Sequence, residues 1–242
     1  MEMHEIAKSQ CERTARVYYA FRKKGGTAND LVEIPAMRKL IGDVNGKKLI
    51  DCGCGFGSYS IYCAKQGAIV TGVDISETMI QLAKQKAAEA GVEIDFKAQD
   101  VTNMKNIPAN TFDMAISSIT VCFDMPLFFK EVSRILKSEG VFCFSEVHPI
   151  LDKENDNYFN RGIRKAKNVF GKINPSDPDY EWQWEHYTLE DYFTGLKEAG
   201  FVIENFLEPQ PDPATKNLNP ELYTRASKHP MFILIRAIKM EK

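Results

Sequence analysis

No stretch of this 242-residue chain approaches the roughly eighteen consecutive apolar residues that a membrane span requires. The N-terminal stretch through Phe21 carries charges throughout and has no apolar h-region. Both absences set aside a transmembrane segment and a secretory leader, so the expectation is a soluble, cytoplasmic protein. An excess of positive charge is missing too: thirty-one Lys plus Arg stand against thirty-three Asp plus Glu, without the field that sequence-independent nucleic-acid binding needs. The nearest approach to a basic cluster, Arg22, Lys23 and Lys24 before Gly25 and Gly26, reads as a solvated loop. Six cysteines (Cys11, Cys52, Cys54, Cys63, Cys122, Cys143) include no C-x-x-C pair and sit mostly in apolar runs. That pattern argues against a disulfide framework and a zinc site, and no metal is expected. Internal repeats and composition breaks are lacking as well. The reading is one domain over 1–242, with an N-terminal helical cap at 1–45 and a lid insert at 148–187.

What is present is a rhythm. Short apolar runs at 48–51, 68–74, 92–96, 112–117 and 141–147 are separated by helix-length segments, which predicts β-α-β units. Their near-continuous apolar character suits strands covered on both faces. Ser76 caps a helix expected to run to about residue 90 before Gly91, and another is expected over 125–137. Thr188 and Asp191 make an N-cap signature for a third, with Leu189, Tyr192, Phe193 and Leu196 at helical spacing. Runs at 201–206 and 231–238 are joined by a loop with Pro209, Pro211, Pro213 and Pro220 and no helical pattern, so antiparallel neighbours are expected. The fold class is α/β: a doubly wound Rossmann-like sheet, mostly parallel, with an antiparallel C-terminal strand and helices on both faces.

Gly53, Gly55 and Gly57 alternate directly after the first strand and before a helical run. Glycine there lets the chain turn sharply and a ligand approach the backbone, with helix N–H groups facing it. Asp74 ends the next strand, where a carboxylate accepts hydrogen bonds from ribose hydroxyls. A dinucleotide and S-adenosylmethionine share these features. Ser58, however, stands where the dinucleotide pattern wants Gly or Ala, and Asp51 beside the loop repels a pyrophosphate and suits an ammonium. An NAD(P)-dependent oxidoreductase and a non-catalytic S-adenosylmethionine-binding protein are the competing readings.

At these residues the chain resembles the class I S-adenosylmethionine-dependent methyltransferases, over most of its length from about Asn29. Asp51-x-Gly53-x-Gly55-x-Gly57 resembles the first motif, and Asp74 with Ile75 the ribose acid and its neighbour. Gln99-Asp100-Val101 resembles the adenine-contacting stretch, Phe112-Asp113 with Ser117-Ser118 the fourth strand, and 136–141 the turn into strand five. Residues 29–37, 146–150, 186–188 and 230–236 resemble a bacterial and archaeal small-molecule subgroup without an agreed substrate. The resemblance implies S-adenosylmethionine as cofactor, held by Asp51, the three glycines, Asp74, Ile75, Asp100, Val101 and Ser117, and a small-molecule methyl acceptor. Residues 119–123 depart from relatives that often place a histidine and tyrosine there.

In-line methyl transfer asks the protein mainly to align the reactants and exclude water. If the acceptor must lose a proton, histidine is the best candidate near neutral pH. His148 past strand five and His186 before the last helix fall near the expected crevice, whereas His4 and His229 lie far from it in this layout. Tyr180, Trp182, Trp184 and His186 alternate with Glu181, Gln183 and Glu185, which puts the rings on one face of a strand, a roof for a pocket. Tyr18 and Tyr19 are the corresponding N-terminal candidates for covering the cofactor.

Overall fold

The apolar runs form the strands they predict, with shifted ends. In the computed structural model, residues 3–120, 123–151, 157–167 and 180–241 are described. The strands are β1 (Lys48–Cys52), β2 (Ile69–Asp74), β3 (Asp95–Ala98), β4 (Phe112–Ser118), β5 (Leu136–Val147), β6 (Gly162–Lys167), β7 (Glu181–His186), β8 (Phe201–Leu207) and β9 (Phe232–Lys239). Seven of them make one sheet in the order β3-β2-β1-β4-β5-β9-β8, and β6 and β7 pair as a separate antiparallel hairpin. β9 runs antiparallel to both β5 and β8 and lies between them. It is the one antiparallel strand in an otherwise parallel sheet.

Adjacent residues on the central strands feed opposite cores, which explains their unbroken apolar character. Ile50, Ala115, Phe142, Phe144, Ile233 and Ile235 pack on one side. Leu49, Met114, Ile116, Cys143 and Leu234 pack on the other. Around the sheet lie α1 (Met3–Arg22), a π-helical turn (Asn29–Glu33), α2 (Ile34–Ile41), α3 (Ser58–Lys65), α4 (Glu77–Ala90), α5 (Met125–Ile135), α6 (Leu189–Glu198), α7 (Thr215–Leu218) and α8 (Pro220–Ala226). The expected caps form: Ser76 Oγ accepts from Met79 N at 3.1 Å, and Thr188 with Asp191 closes a capping box.

Several boundaries differ from the sequence reading for local reasons. The third strand starts at Asp95 because the left-handed Gly91 folds the chain back, Val92 N donating to Ala87 O, and so ends α4. α5 stops at Ile135, and Leu136 already pairs with Phe112 ahead of an irregularity in the ladder. The proline-rich loop is not free of helix: Pro220 occupies the first turn of α8, capped by Asn219, and α7 precedes it.

The N-terminal helix docks across the molecule. Gln10 is buried and acts as a strand partner to β7, its Nε2 donating to Gln183 O (3.0 Å) while Gln183 N donates to its Oε1 (2.7 Å). The Arg13 guanidinium lies 4.3 Å from the centre of the Tyr180 ring. Glu12 Oε1 accepts from Thr78 N at the start of α4. Residues 152–156 and 168–179 of the expected lid, and Val121 and Cys122 of the departing segment, lie outside the described residues. Among the described residues no helix is long and apolar enough to cross a membrane.

Candidate active site

The turn from β1 into α3 builds the centre of the site. Gly53, Gly55 and Gly57 all have positive φ (72°, 51° and 78°), a region that costs glycine nothing. Their roles differ. A Cβ on Gly53 would stand 2.0 Å from Thr120 Cγ2, a Cβ on Gly57 would press on Phe96 and Ala83, and one on Gly55 would meet open space. Gly55 therefore keeps the loop open to a ligand, while Gly57 lets α3 pack and does not itself line the cavity.

That cavity, about 860 Å³, opens over the C-terminal ends of β1, β2, β4 and β5 and falls within the size range of small-ligand sites. Asp51, Gly53, Gly55, Asp74, Ile75, Asp100 and Val101 line it, as do His148, His186, Trp182 and Trp184. The Asp74 carboxylate accepts from Gly55 N (2.8 Å, Oδ2) and Ser76 N (2.9 Å, Oδ1). It thus holds the glycine loop and keeps further lone pairs. Burial pushes its pKa up, against the two backbone donors. Asp51 is buried, takes a 2.5 Å hydrogen bond from Ser60 Oγ, and has its pKa pushed up to about 7 by burial, with the Asp74 charge adding to the shift.

Three expected residues sit elsewhere. Ser117 is buried inside the sheet, and its strand neighbour Ser118 reaches the cavity instead, donating to Glu33 at 3.0 Å. Tyr19 packs on Phe56, ring centroids 5.2 Å apart, and it is Tyr18 that lines the cavity. His4, placed far off by the sequence layout, lies in the cavity wall with Nδ1 2.5 Å from Asp100 Oδ2; Asp100 Oδ1 accepts from Thr102.

The histidines are held firmly. His148 Nδ1 accepts from Ile150 N (3.2 Å), which leaves the proton on Nε2, 2.9 Å from Glu208 Oε1. Burial lowers its pKa, and Glu208 works in the opposite direction. His186 is buried, with Nε2 donating to Tyr158 O at 2.8 Å.

Sequence reasoning missed Arg22. It is the last residue of α1 and not part of a solvated loop; its side chain is 11% exposed and paired with Asp30 (3.0 Å) and Tyr18 (2.9 Å). Its Nε lies buried in the cavity wall without a hydrogen-bond partner, an expensive state unless a ligand acceptor reaches it. Glu33 was also missed. It is fully buried and accepts from the hydroxyls of Tyr59, Ser118 and Ser145. Among the described residues no group of His, Cys, Asp or Glu is arranged to hold a metal ion.

A mostly parallel doubly wound sheet, an open glycine loop and an acid at the end of β2 make a crevice of the kind that receives an adenosine ligand. The comparisons agree. A family profile described as a methyltransferase domain matches residues 43–204. An S-adenosylmethionine-dependent methyltransferase from Mesorhizobium loti superposes with a TM-score of 0.72 at 29% identity, covering 86% of this chain and 97% of that one. An uncharacterized Haemophilus influenzae protein is 28% identical over 93% of this chain and 94% of its own. A carboxy-S-adenosyl-L-methionine synthase from Nitratiruptor is 33% identical over 69% of this chain and 72% of its own. The chain belongs to the class I S-adenosylmethionine-dependent methyltransferases, and S-adenosylmethionine is its cofactor.

Proposed function

We propose that this protein methylates a small molecule held between the glycine loop and the aromatic strand β7. The observation that carries the reading is that one cavity is lined both by Arg22, whose buried Nε has no partner, and by the buried Asp51 carboxylate, groups of opposite charge that suit an amino-acid zwitterion. In this reading Arg22 takes the cofactor's carboxylate, Asp51 its ammonium and Asp74 its ribose hydroxyls, while Asp100 and Val101 face the adenine. When bound, S-adenosylmethionine supplies a methyl group already activated by its sulfonium.

The chain's own contribution is alignment and the exclusion of water. α1 and the β6–β7 hairpin, tied by Gln10 and Gln183, roof the cavity with Tyr18, Trp182 and Trp184. Because both ring nitrogens of His148 are engaged, its role here is to fix the chain leaving β5 against Glu208. His186, whose Nε2 donates to Tyr158 O, also lines the cavity and is the candidate base in this reading.

Arg22→Met tests the reading through a contrast of ligands. S-adenosylhomocysteine, which keeps the amino-acid tail, should bind about tenfold more weakly, the worth of a charge-assisted hydrogen bond. 5′-Methylthioadenosine, which lacks that tail, should bind within about threefold of the wild type. Equal losses for both ligands by calorimetry would mean that Arg22 only props up α1.

A further inference from the structure

Resting on the methyl-transfer reading, the charge of the cavity narrows the acceptor. Among the described residues that line it, seven are carboxylates, none is lysine and one, Arg22, is arginine. Arg22 is tied to Asp30. Asp51, Asp74 and Asp100 belong to the half built around the glycine loop, and Glu33 is committed to three hydroxyls. That leaves Glu146, Glu185 and Asp124 without a role in cofactor binding.

These three descend from the rim to the floor: Asp124 is exposed, Glu185 half-buried and Glu146 buried. Each is fixed by a backbone N–H. Glu146 accepts from Thr120, Glu185 from Asp124, and Asp124 from Leu127, at 2.9–3.1 Å, and Glu185 Oε2 also accepts from the Tyr187 hydroxyl, which leaves its Oε1 for a ligand. Aromatic residues share the same walls, Phe123, Trp182, Trp184 and Tyr187 among them. Ring faces attract cations, the more so where water is excluded. Among the described residues, an anionic acceptor would meet fixed carboxylates and no available lysine or arginine, at a large electrostatic cost.

We propose that the methyl acceptor is an amine-bearing small molecule that enters as its cation, recognised by Glu146 and Glu185 and stacked against the tryptophans of β7. Its ammonium gives one proton, by way of a carboxylate, to solvent. The freed nitrogen lone pair forms the N–CH3 bond as the carbon–sulfur bond breaks, the sulfur leaves as a neutral thioether, and the product is the methylated ammonium. One proton is released per methyl transferred.

Three probes of one skeleton and different charge test this: 2-phenylethylamine, 2-phenylethanol and phenylacetate, titrated into the protein saturated with S-adenosylhomocysteine and followed by tryptophan emission. Both tryptophans lie on β7. The amine should bind at least about tenfold more tightly than the alcohol, with phenylacetate weakest, and Glu146→Gln and Glu185→Gln should each cut the amine's advantage by about tenfold. Both substitutions keep an oxygen for the backbone donor, so S-adenosylhomocysteine affinity should stay within about threefold. Absence of any preference for the amine, failure of all three probes to bind included, overturns the cationic acceptor, as does a preference that survives both substitutions. Methyl transfer itself still stands in those cases if S-adenosylhomocysteine binds; if it does not, both readings fall.

Discussion

Replacing Asp74 by alanine is expected to lower the affinity for S-adenosylhomocysteine and for 5′-methylthioadenosine alike, by about a hundredfold or more. Two losses combine. The first is the charge-assisted hydrogen bonding to the ribose, worth about 1.5–3 kcal/mol. The second is the loop itself, because Gly55 N and Ser76 N lose their common acceptor and the open arc at Gly55 loses its preorganisation. Both ligands carry the ribose, so both suffer, and this separates Asp74 from Arg22. Asp74→Asn, which retains one acceptor for the loop, should fall between alanine and wild type. Calorimetry on variants with unaltered circular dichroism checks this; an unchanged affinity in Asp74→Ala would displace the whole register of the site.

Asp51→Asn should act through charge and therefore through pH. With its pKa pushed up to about 7 by burial, Asp51 is largely ionised at pH 8, where the substitution should weaken S-adenosylhomocysteine ten- to a hundredfold and spare 5′-methylthioadenosine. The bound ammonium favours the carboxylate, so binding lowers this pKa and expels a proton at acid pH. Wild-type affinity should then fall below pH 7 by up to about tenfold per unit, and Asp51→Asn should flatten that slope. Stability runs the other way. The raised pKa means that between about pH 4 and 7 the folded protein keeps a proton the unfolded chain has released, so stability is lost as pH rises through 7. The buried carboxylate then costs roughly 4 kcal/mol at pH 8. Asp51→Asn should therefore melt higher than wild type at pH 8 without ligand while binding worse. A wild-type affinity flat from pH 6 to 8 would remove Asp51 from the ammonium's neighbourhood.

The parts of this site that a reader of the sequence can see are those made by neighbours in sequence. The glycine loop, Asp51 and Asp74 lie on two consecutive strand ends, and local rules of turn and strand suffice to find them. Residues brought in by long-range docking were hidden. Arg22 looks like the start of a basic loop until α1 is laid across α4, and His4 meets Asp100 across 96 residues of chain. The resemblance pointed to Ser117, whereas the alternation of the strand gives the cavity to Ser118. On α1, periodicity alone could not choose between Tyr18 and Tyr19, because Phe56 supplies an apolar partner for both rings. The antiparallel C-terminal pair was legible from its proline-rich connection. The insertion of β9 between β5 and β8 was not, since nothing in chain order says which strand of a pair lies inside.

Methyl transfer is tested most directly by following the label. The protein is incubated with S-adenosylmethionine labelled in its methyl group and a small-molecule metabolite extract enriched in amines, and both products are measured by mass spectrometry. The account predicts S-adenosylhomocysteine and a methylated amine in equal amounts, with the label in the amine and both abolished in Asp74→Ala. Labelled S-adenosylmethionine recovered with its methyl still attached, either unchanged or carrying an added group, would contradict it.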